Sequence, residues 1–275
     1  MNDNLGNNLK ITIFYFSETG NTAWAVNQLA EKLLKLDYNV KLISCEEDFD
    51  IGLTIDSCDI VGIAFPIHSS FAPQIMQEFI KKFPNSNNKP LFSLATAGYM
   101  AGDVLWYETA PLRKRGYIPR VFCNITIGNN LHLPKLSPLP VTKPEKLATN
   151  LEKAERKIEQ MADYIHEGSS HIEGNNLLGK LLGVVQRLVA ERFESMAFTG
   201  FYADKTCNQC GLCVRYCPVN NIYIEGNEIK FDDNCMLCVR CYSYCPNQAI
   251  QMNEKTKNTK KYKRYEGPGS EMFKI

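Results

Sequence analysis

Apolar and polar positions alternate in blocks through the first half of the chain. KITIFYF at 10–16 is an apolar run rich in β-branched and aromatic residues. A turn separates it from Trp24, Val26, Leu29, Ala30, Leu33 and Leu34, which recur at helical spacing. The same strand, loop and helix alternation continues with NVKLIS at 39–44, DIVGIAF at 59–65 before a helix at 73–82, PLFSLAT at 90–96 before a helix near 102–115, and RVFCNITI at 120–127. Successive βα units of this kind predict a parallel sheet buried between layers of helices.

The pattern changes after residue 130. Pro134, Pro138, Pro140 and Pro144 withhold amide donors and restrict φ, so this stretch reads as a linker or a long loop. Residues 145–167 then form a charged amphipathic helix. Residues 177–193 align Leu177, Leu178, Leu181, Leu182, Val185, Leu188, Val189 and Phe193 on one stripe. That second helix needs a partner surface, expected in the sheet or between domains. The competing reading, a helix lying on a membrane surface, is weakened because Glu191 and Glu194 offset Lys180, Arg187 and Arg192. Beyond it lies an internal repeat: Cys207, Cys210, Cys213, Cys217, Pro218 and Ile222 recur 28 positions later as Cys235, Cys238, Cys241, Cys245, Pro246 and Ile250. The end of the chain carries Lys255, Lys257, Lys260, Lys261, Lys263 and Arg264, either a solvated tail or a docking element.

Composition narrows the classes. A length of 275 residues with 44% hydrophobic residues suits one to two globular domains. With 31 Lys plus Arg against 30 Asp plus Glu, the chain has no global field to attract nucleic acid or an anionic membrane. MNDNLGNN lacks the features of a signal peptide, and the most apolar window is broken by Lys180, Gln186 and Arg187; a cytoplasmic protein with no transmembrane segment is expected. Eight of the eleven cysteines crowd into 207–245 without an extracellular context, which favours metal ligation over disulfides. The other three, Cys45, Cys58 and Cys123, lie in or beside predicted strands and read as small buried hydrophobes.

Each half of the repeat reads C-x-x-C-x-x-C-x-x-x-C-P, the spacing of bacterial two-cluster ferredoxins, in which the fourth cysteine of each run ligates the other cluster. Thiolates are soft, charged donors that suit iron. On this pattern Cys207, Cys210, Cys213 and Cys245 hold one [4Fe–4S] cluster, and Cys235, Cys238, Cys241 and Cys217 hold the second. Two structural zinc sites are the competing reading, but zinc normally takes separated ligand pairs and has no use for a third cysteine and a proline. Residues 203–252 therefore resemble a bacterial-type 2[4Fe–4S] ferredoxin, which implies a small pseudo-twofold α+β fold carrying one low-potential electron per cluster.

The first βα turn is FSETGNT at 16–22. A phosphate is stabilised at such a place by unpaired amides and the positive end of the helix dipole, and Gly20 permits close backbone approach. The hydroxyls of Ser17, Thr19 and Thr22 and the amide of Asn21 can complete its shell. An ordinary N-cap on Thr19 or Asn21 is the plainer alternative. The strand, the wording S-x-T-G-N-T and the following βα units resemble a flavodoxin over about residues 8–130. That resemblance implies a doubly wound α/β fold with a five-stranded parallel sheet of order 2-1-3-4-5, FMN as cofactor, and Ser17, Glu18, Thr19, Gly20, Asn21 and Thr22 around its phosphate. It also implies ring contacts from Phe65, Pro66, Ile67 and His68 and from Thr96, Ala97, Gly98, Tyr99 and Gly102, with Tyr99 stacking on the ring and His68 at its polar edge. Residues 65–73 contain no glycine, unlike flavodoxins that stabilise the neutral semiquinone through a glycine peptide in this loop.

The whole chain, including the ending KYKRYEGP, resembles the fused flavodoxin-ferredoxin proteins of anaerobic prokaryotes. The organisation implied is a flavodoxin-like FMN domain with a trailing helix at 1–167, a helical connector at 168–202, the ferredoxin domain at 203–252 and a basic tail at 253–275. The expected role is an electron carrier relaying single electrons between FMN and two [4Fe–4S] clusters and on to redox partner proteins. The alternatives are a cluster-fed FMN reductase acting on a small molecule such as a quinone or nitro compound, and a ferredoxin attached to a flavin-free sheet. No G-x-G-x-x-G fingerprint supports direct NAD(P)H oxidation.

Overall fold

The computed structural model describes residues 8–68, 70–135, 139–197 and 200–273, the stretch 189–197 as backbone only. In chain order the first part comprises β1 (Lys10–Tyr15), α1 (Asn21–Lys35), β2 (Asn39–Ser44), α2 (Ile51–Asp56), β3 (Ile60–Pro66), α3 (Gln74–Lys81), β4 (Pro90–Ala97), α4 (Val104–Glu108), α5 (Ala110–Lys114), β5 (Ile118–Thr126), α6 (Pro144–His166), β6 (His171–Ile172) and α7 (Leu177–Ala197). The strands lie in the order β2-β1-β3-β4-β5-β6, all parallel. Five of them realise the flavodoxin-like order. The sixth is an addition to the expected sheet: His171 and Ile172 pair with Val121 and Phe122, a segment too short to show any alternation.

Strand residues alternate between two cores, as a pleated backbone requires. On one face Ile11, Ile13, Leu94 and Val121 meet Val26, Leu29 and Leu33 of α1 and Ile158 and Met161 of α6. On the other, Phe14, Ile63, Phe65 and Phe122 meet Met76, Phe79 and Ile80 of α3 together with Leu105 and Leu112. Full burial of each such side chain contributes roughly 1.5–3 kcal/mol. Leu34, expected on the buried stripe of α1, is half exposed. The helix expected near 102–115 is broken into α4 and α5, because Pro111 in the first turn of α5 has no amide to continue the ladder.

The apolar helix α7 departs most from expectation. It approaches the sheet through a small and polar face: a Cβ on Gly183 would overlap the Asp103 carboxylate, and Arg187 donates to both Asp103 oxygens at 2.6 and 3.2 Å. A buried bidentate pair of this kind fixes orientation. The helix is thereby rotated so that Leu177, Leu178, Leu181, Val185 and Leu188 remain exposed, between 51% and 86%. Val189 and Phe193 lie outside the described side chains.

The second part comprises β7 (Tyr202–Ala203), α8 (Leu212–Arg215), β8 (Ile222–Glu225), β9 (Glu228–Phe231), α9 (Arg240–Ser243) and β10 (Ile250–Gln251). β7 pairs with β10 and β8 with β9, both antiparallel. The sequence repeat is also a conformational one. Left-handed backbone at Gln209, Gly211 and Asn220 recurs at Leu237, Val239 and Gln248, each 28 positions on. Such a φ costs a non-glycine residue about 1–2 kcal/mol, and Val239, being β-branched, is the most strained of the set.

The proline-rich segment does not run as a free linker. Leu133, from the stretch after β5, is fully buried among Phe201, Leu237, Val239, Tyr242, Ile250 and Met252; Pro138 lies outside the described residues. The tail is not a solvated end either. Tyr262, Tyr265, Ser270 and Phe273 are buried, and Arg264 lies 3.3 Å over the Tyr242 ring while donating to the carbonyls of Gln248 and Ile250. Its lysines 255, 257, 260, 261 and 263 face solvent.

Candidate cofactor sites

The crevice at the carboxyl ends of β1 and β3, where the strand order reverses, is where an open sheet of this class binds ligands. Gly20 stands immediately before α1 with φ 92°, and no side chain caps the helix from that position. The amides of Thr19, Gly20, Asn21 and Thr22 make no hydrogen bond among the described residues. Ser17 Oγ accepts from the Ala23 amide at 3.1 Å, so its hydroxyl caps the helix. Thr19 Oγ1 accepts from Asn130 Nδ2 at 2.9 Å, which leaves its own O–H to donate. Thr22 and Thr96 pair through their hydroxyls at 2.8 Å, joining the loop to the end of β4. The free amides at a helix start fit a phosphate.

One cleft brings together Glu18, Thr19, Asn21, Thr22, Pro66, Ile67, Thr96, Ala97 and Gly98. The remaining expected ring contacts lie around it. Phe65 is fully buried in the core beside α3, because strand alternation sends it away from the crevice. His68 Nδ1 lies 3.5 Å from Glu18 Oε1. Tyr99 is 57% exposed, and Gly102 is packed under α7, where a Cβ would meet Gln186 Oε1 at 2.9 Å. The cleft also contains Gly128 and Asn130, which sequence reasoning did not single out. Their only signal was position, at the carboxyl end of β5.

The repeat cysteines lie near one another. Burial pushes the Cys213 thiol up to about 11, and its sulfur neighbours are Cys207, Cys245 and Cys210. Burial also pushes Cys241 well above the ordinary thiol range, with Cys238, Cys235, Cys213 and Cys217 as neighbours. The fourth cysteine of each run thus sits beside the other run. Among the described residues no three of these sulfurs lie within 4.8 Å of one another. A single tetrahedral zinc would hold them about 3.8 Å apart. Backbone amides already point at the sulfurs, Asn221 to Cys217 and Ala249 to Cys245, both at 3.2 Å. Elsewhere Cys123, His171 and Glu173 could converge on an ion, but Lys157 Nζ already lies 2.7 Å from Glu173.

The two regions are joined by Arg240, between Cys238 and Cys241. Its guanidinium donates from Nε to the Glu18 carbonyl (3.0 Å), from Nη2 to the Ser17 carbonyl (2.6 Å), and to both oxygens of Glu46 at 2.7 Å each. Tyr244 Oη donates to the Thr19 carbonyl and Tyr265 Oη, from the tail, to Asn21 Oδ1, both at 2.8 Å. Sequence reasoning missed Arg240. Its signal was a break in the repeat, since the matching position holds Leu212.

The family of 4Fe-4S binding domains matches residues 204–223, the first half of the repeat. No curated protein matches the chain. Among solved structures the chain is similar to a flavodoxin from the domain Archaea, with 14% identity over 57% of this chain and 99% of that one and a TM-score of 0.41. It is also similar to two-electron reduced Megasphaera elsdenii flavodoxin, with 15% identity over 56% and 98% and a TM-score of 0.42. A further similarity is to rubredoxin oxygen:oxidoreductase from the anaerobe Desulfovibrio gigas, with 18% identity over 59% and 38% and a TM-score of 0.41. The flavodoxin-like fold rests on the strand order described above. The 4Fe-4S match supports a redox or electron-transfer role.

Proposed function

We propose that the chain is an electron carrier that holds FMN in the crevice and two [4Fe–4S] clusters on the crossed cysteine sets, relaying low-potential single electrons among them and to redox partner proteins. Flavin exchanges one or two electrons and each cluster one, so the chemistry belongs to the cofactors. The chain's residues bind and position. Thr19, Gly20, Asn21 and Thr22 offer amides and a hydroxyl to the phosphate, and the repeat sulfurs, with amides aimed at Cys217 and Cys245, receive iron. The observation that carries the reading is Arg240: one guanidinium, set between two cluster cysteines, is bonded to two carbonyls of the phosphate loop.

Anaerobic purification followed by cofactor analysis tests it. Roughly one FMN and eight iron atoms per chain are expected. Protein that takes up no FMN, or that carries zinc in place of iron, refutes the proposal.

A further inference from the structure

The phosphate loop is held from outside by the second domain, through its carbonyls. Three consecutive peptide units are involved. Arg240 takes the carbonyls of Ser17 and Glu18, and Tyr244 takes that of Thr19. In a planar trans peptide the N–H points opposite to the C=O. Fixing the Glu18 and Thr19 carbonyls against the second domain therefore turns the amides of Thr19 and Gly20 away from it, and neither amide has a partner among the described residues. A carbonyl that accepts from a cation also polarises the N–H of its own peptide unit.

We infer that the second iron–sulfur loop is part of the flavin phosphate site, with Arg240 and Tyr244 acting as positioning residues that set the amides of Thr19 and Gly20 for FMN. This rests on the proposed function, since it takes FMN as the ligand. Charge is not the means. Glu46 accepts both Nη atoms of Arg240, so the guanidinium brings little net charge to the loop. Its role is geometric: a rigid planar fork reaches Ser17, Glu18, Glu46 and, at 3.2 Å, the Tyr216 carbonyl at once, which a lysine ammonium on a flexible stem does not reproduce. Arg240 is itself fixed between Cys238 and Cys241, so iron ligation by those cysteines orders the fork, and the fork orders the amides. Coupling between sites is reciprocal, so FMN in turn favours the ligated form of the second cysteine set.

The test uses the full chain, purified anaerobically with its iron, and compares FMN with riboflavin by quenching of flavin fluorescence. Arg240→Lys keeps the charge and loses the fork; Tyr244→Phe removes one hydroxyl without touching the guanidinium. FMN affinity is expected to fall about tenfold in each, the size of one well-placed hydrogen bond, with riboflavin changed less than about twofold. Glu46→Gln, which changes no group next to a repeat cysteine, is expected to loosen Arg240 and weaken FMN selectively with full iron content. Equal loss of FMN and riboflavin in Tyr244→Phe and Glu46→Gln, or no loss in any of the three variants, overturns the inference. If the unaltered chain with full iron binds no FMN, the proposed function fails and this inference with it.

Discussion

Glu108 is 7% exposed, and its carboxylate accepts from the Ala72 amide at 3.0 Å, bracing the loop that follows His68. Burial raises its pKa from 4.5 to about 7, opposed by that amide and by Arg187. The native state therefore binds the proton more tightly than the unfolded chain does. Between pH 4.5 and 7 native protein holds more protons, so stability falls as pH rises through this window and is level outside it. A shift of this size corresponds to about 3 kcal/mol at 1.36 kcal/mol per unit. Glu108→Gln retains an acceptor for Ala72 and removes the ionisation. The variant should match the parent near pH 4.5 and exceed it by up to about 3 kcal/mol at pH 8, roughly 6–12 °C in Tm for a chain of this size. Thermal unfolding across pH 4.5–8 measures it. A stability difference that does not change with pH would refute the assignment of a proton to native Glu108.

Replacing Cys217 with Ala should damage the cluster held by Cys235, Cys238 and Cys241, and cluster-resolved EPR checks this; loss confined to the Cys207, Cys210 and Cys213 cluster would refute the crossed assignment. Thr19→Ala combined with Thr22→Ala should weaken FMN more than riboflavin, each lost hydrogen bond to a charged phosphate being worth roughly 1.5–3 kcal/mol, as binding titrations would show. Changing Lys255, Lys257, Lys260, Lys261 and Lys263 to Gln should flatten the salt dependence of electron delivery to an acidic redox partner, measured by stopped-flow, because exposed charges steer through screened attraction.

The strands were legible because a parallel sheet covered on both faces needs apolar runs, and 39–44, 59–65 and 90–96 supply them. The cysteine repeat was legible because its spacing recurs 28 positions on. Orientation was not. Periodicity tells which residues of α7 share a face, but Gly183, Asp103 and Arg187 decide that the leucine face turns outward. The lysines of the tail obscured Tyr262, Tyr265 and Phe273, whose burial holds the tail in place. The Gly20 loop was readable as a motif, whereas its outer support comes from residues more than 200 positions away, and no local pattern reports such a contact.

These distant contacts bear on how electrons cross the molecule. Two modules on a flexible tether would meet at an effective concentration of about millimolar and spend part of their time apart. Here the boundary is crossed at several places among the described residues: Leu133 enters the second core, Arg240 and Tyr244 bind the loop at residues 17–19, and the tail returns to Asn21. At Gly20 a Cβ would lie 2.6 Å from the backbone of Gly269, so tail and loop are in direct backbone contact. Contacts of this density leave one docked arrangement in which the segment of Cys238 and Cys241 adjoins the proposed flavin loop. Electron passage from clusters to flavin should then be unimolecular. After flash photoreduction of the clusters, the flavin absorbance should change at a rate independent of protein concentration. A rate proportional to concentration would mean that electrons pass between molecules, and the docked relay would be wrong. The extent of transfer is a separate quantity, set by the measured potentials at about 59 mV per tenfold change in the one-electron equilibrium.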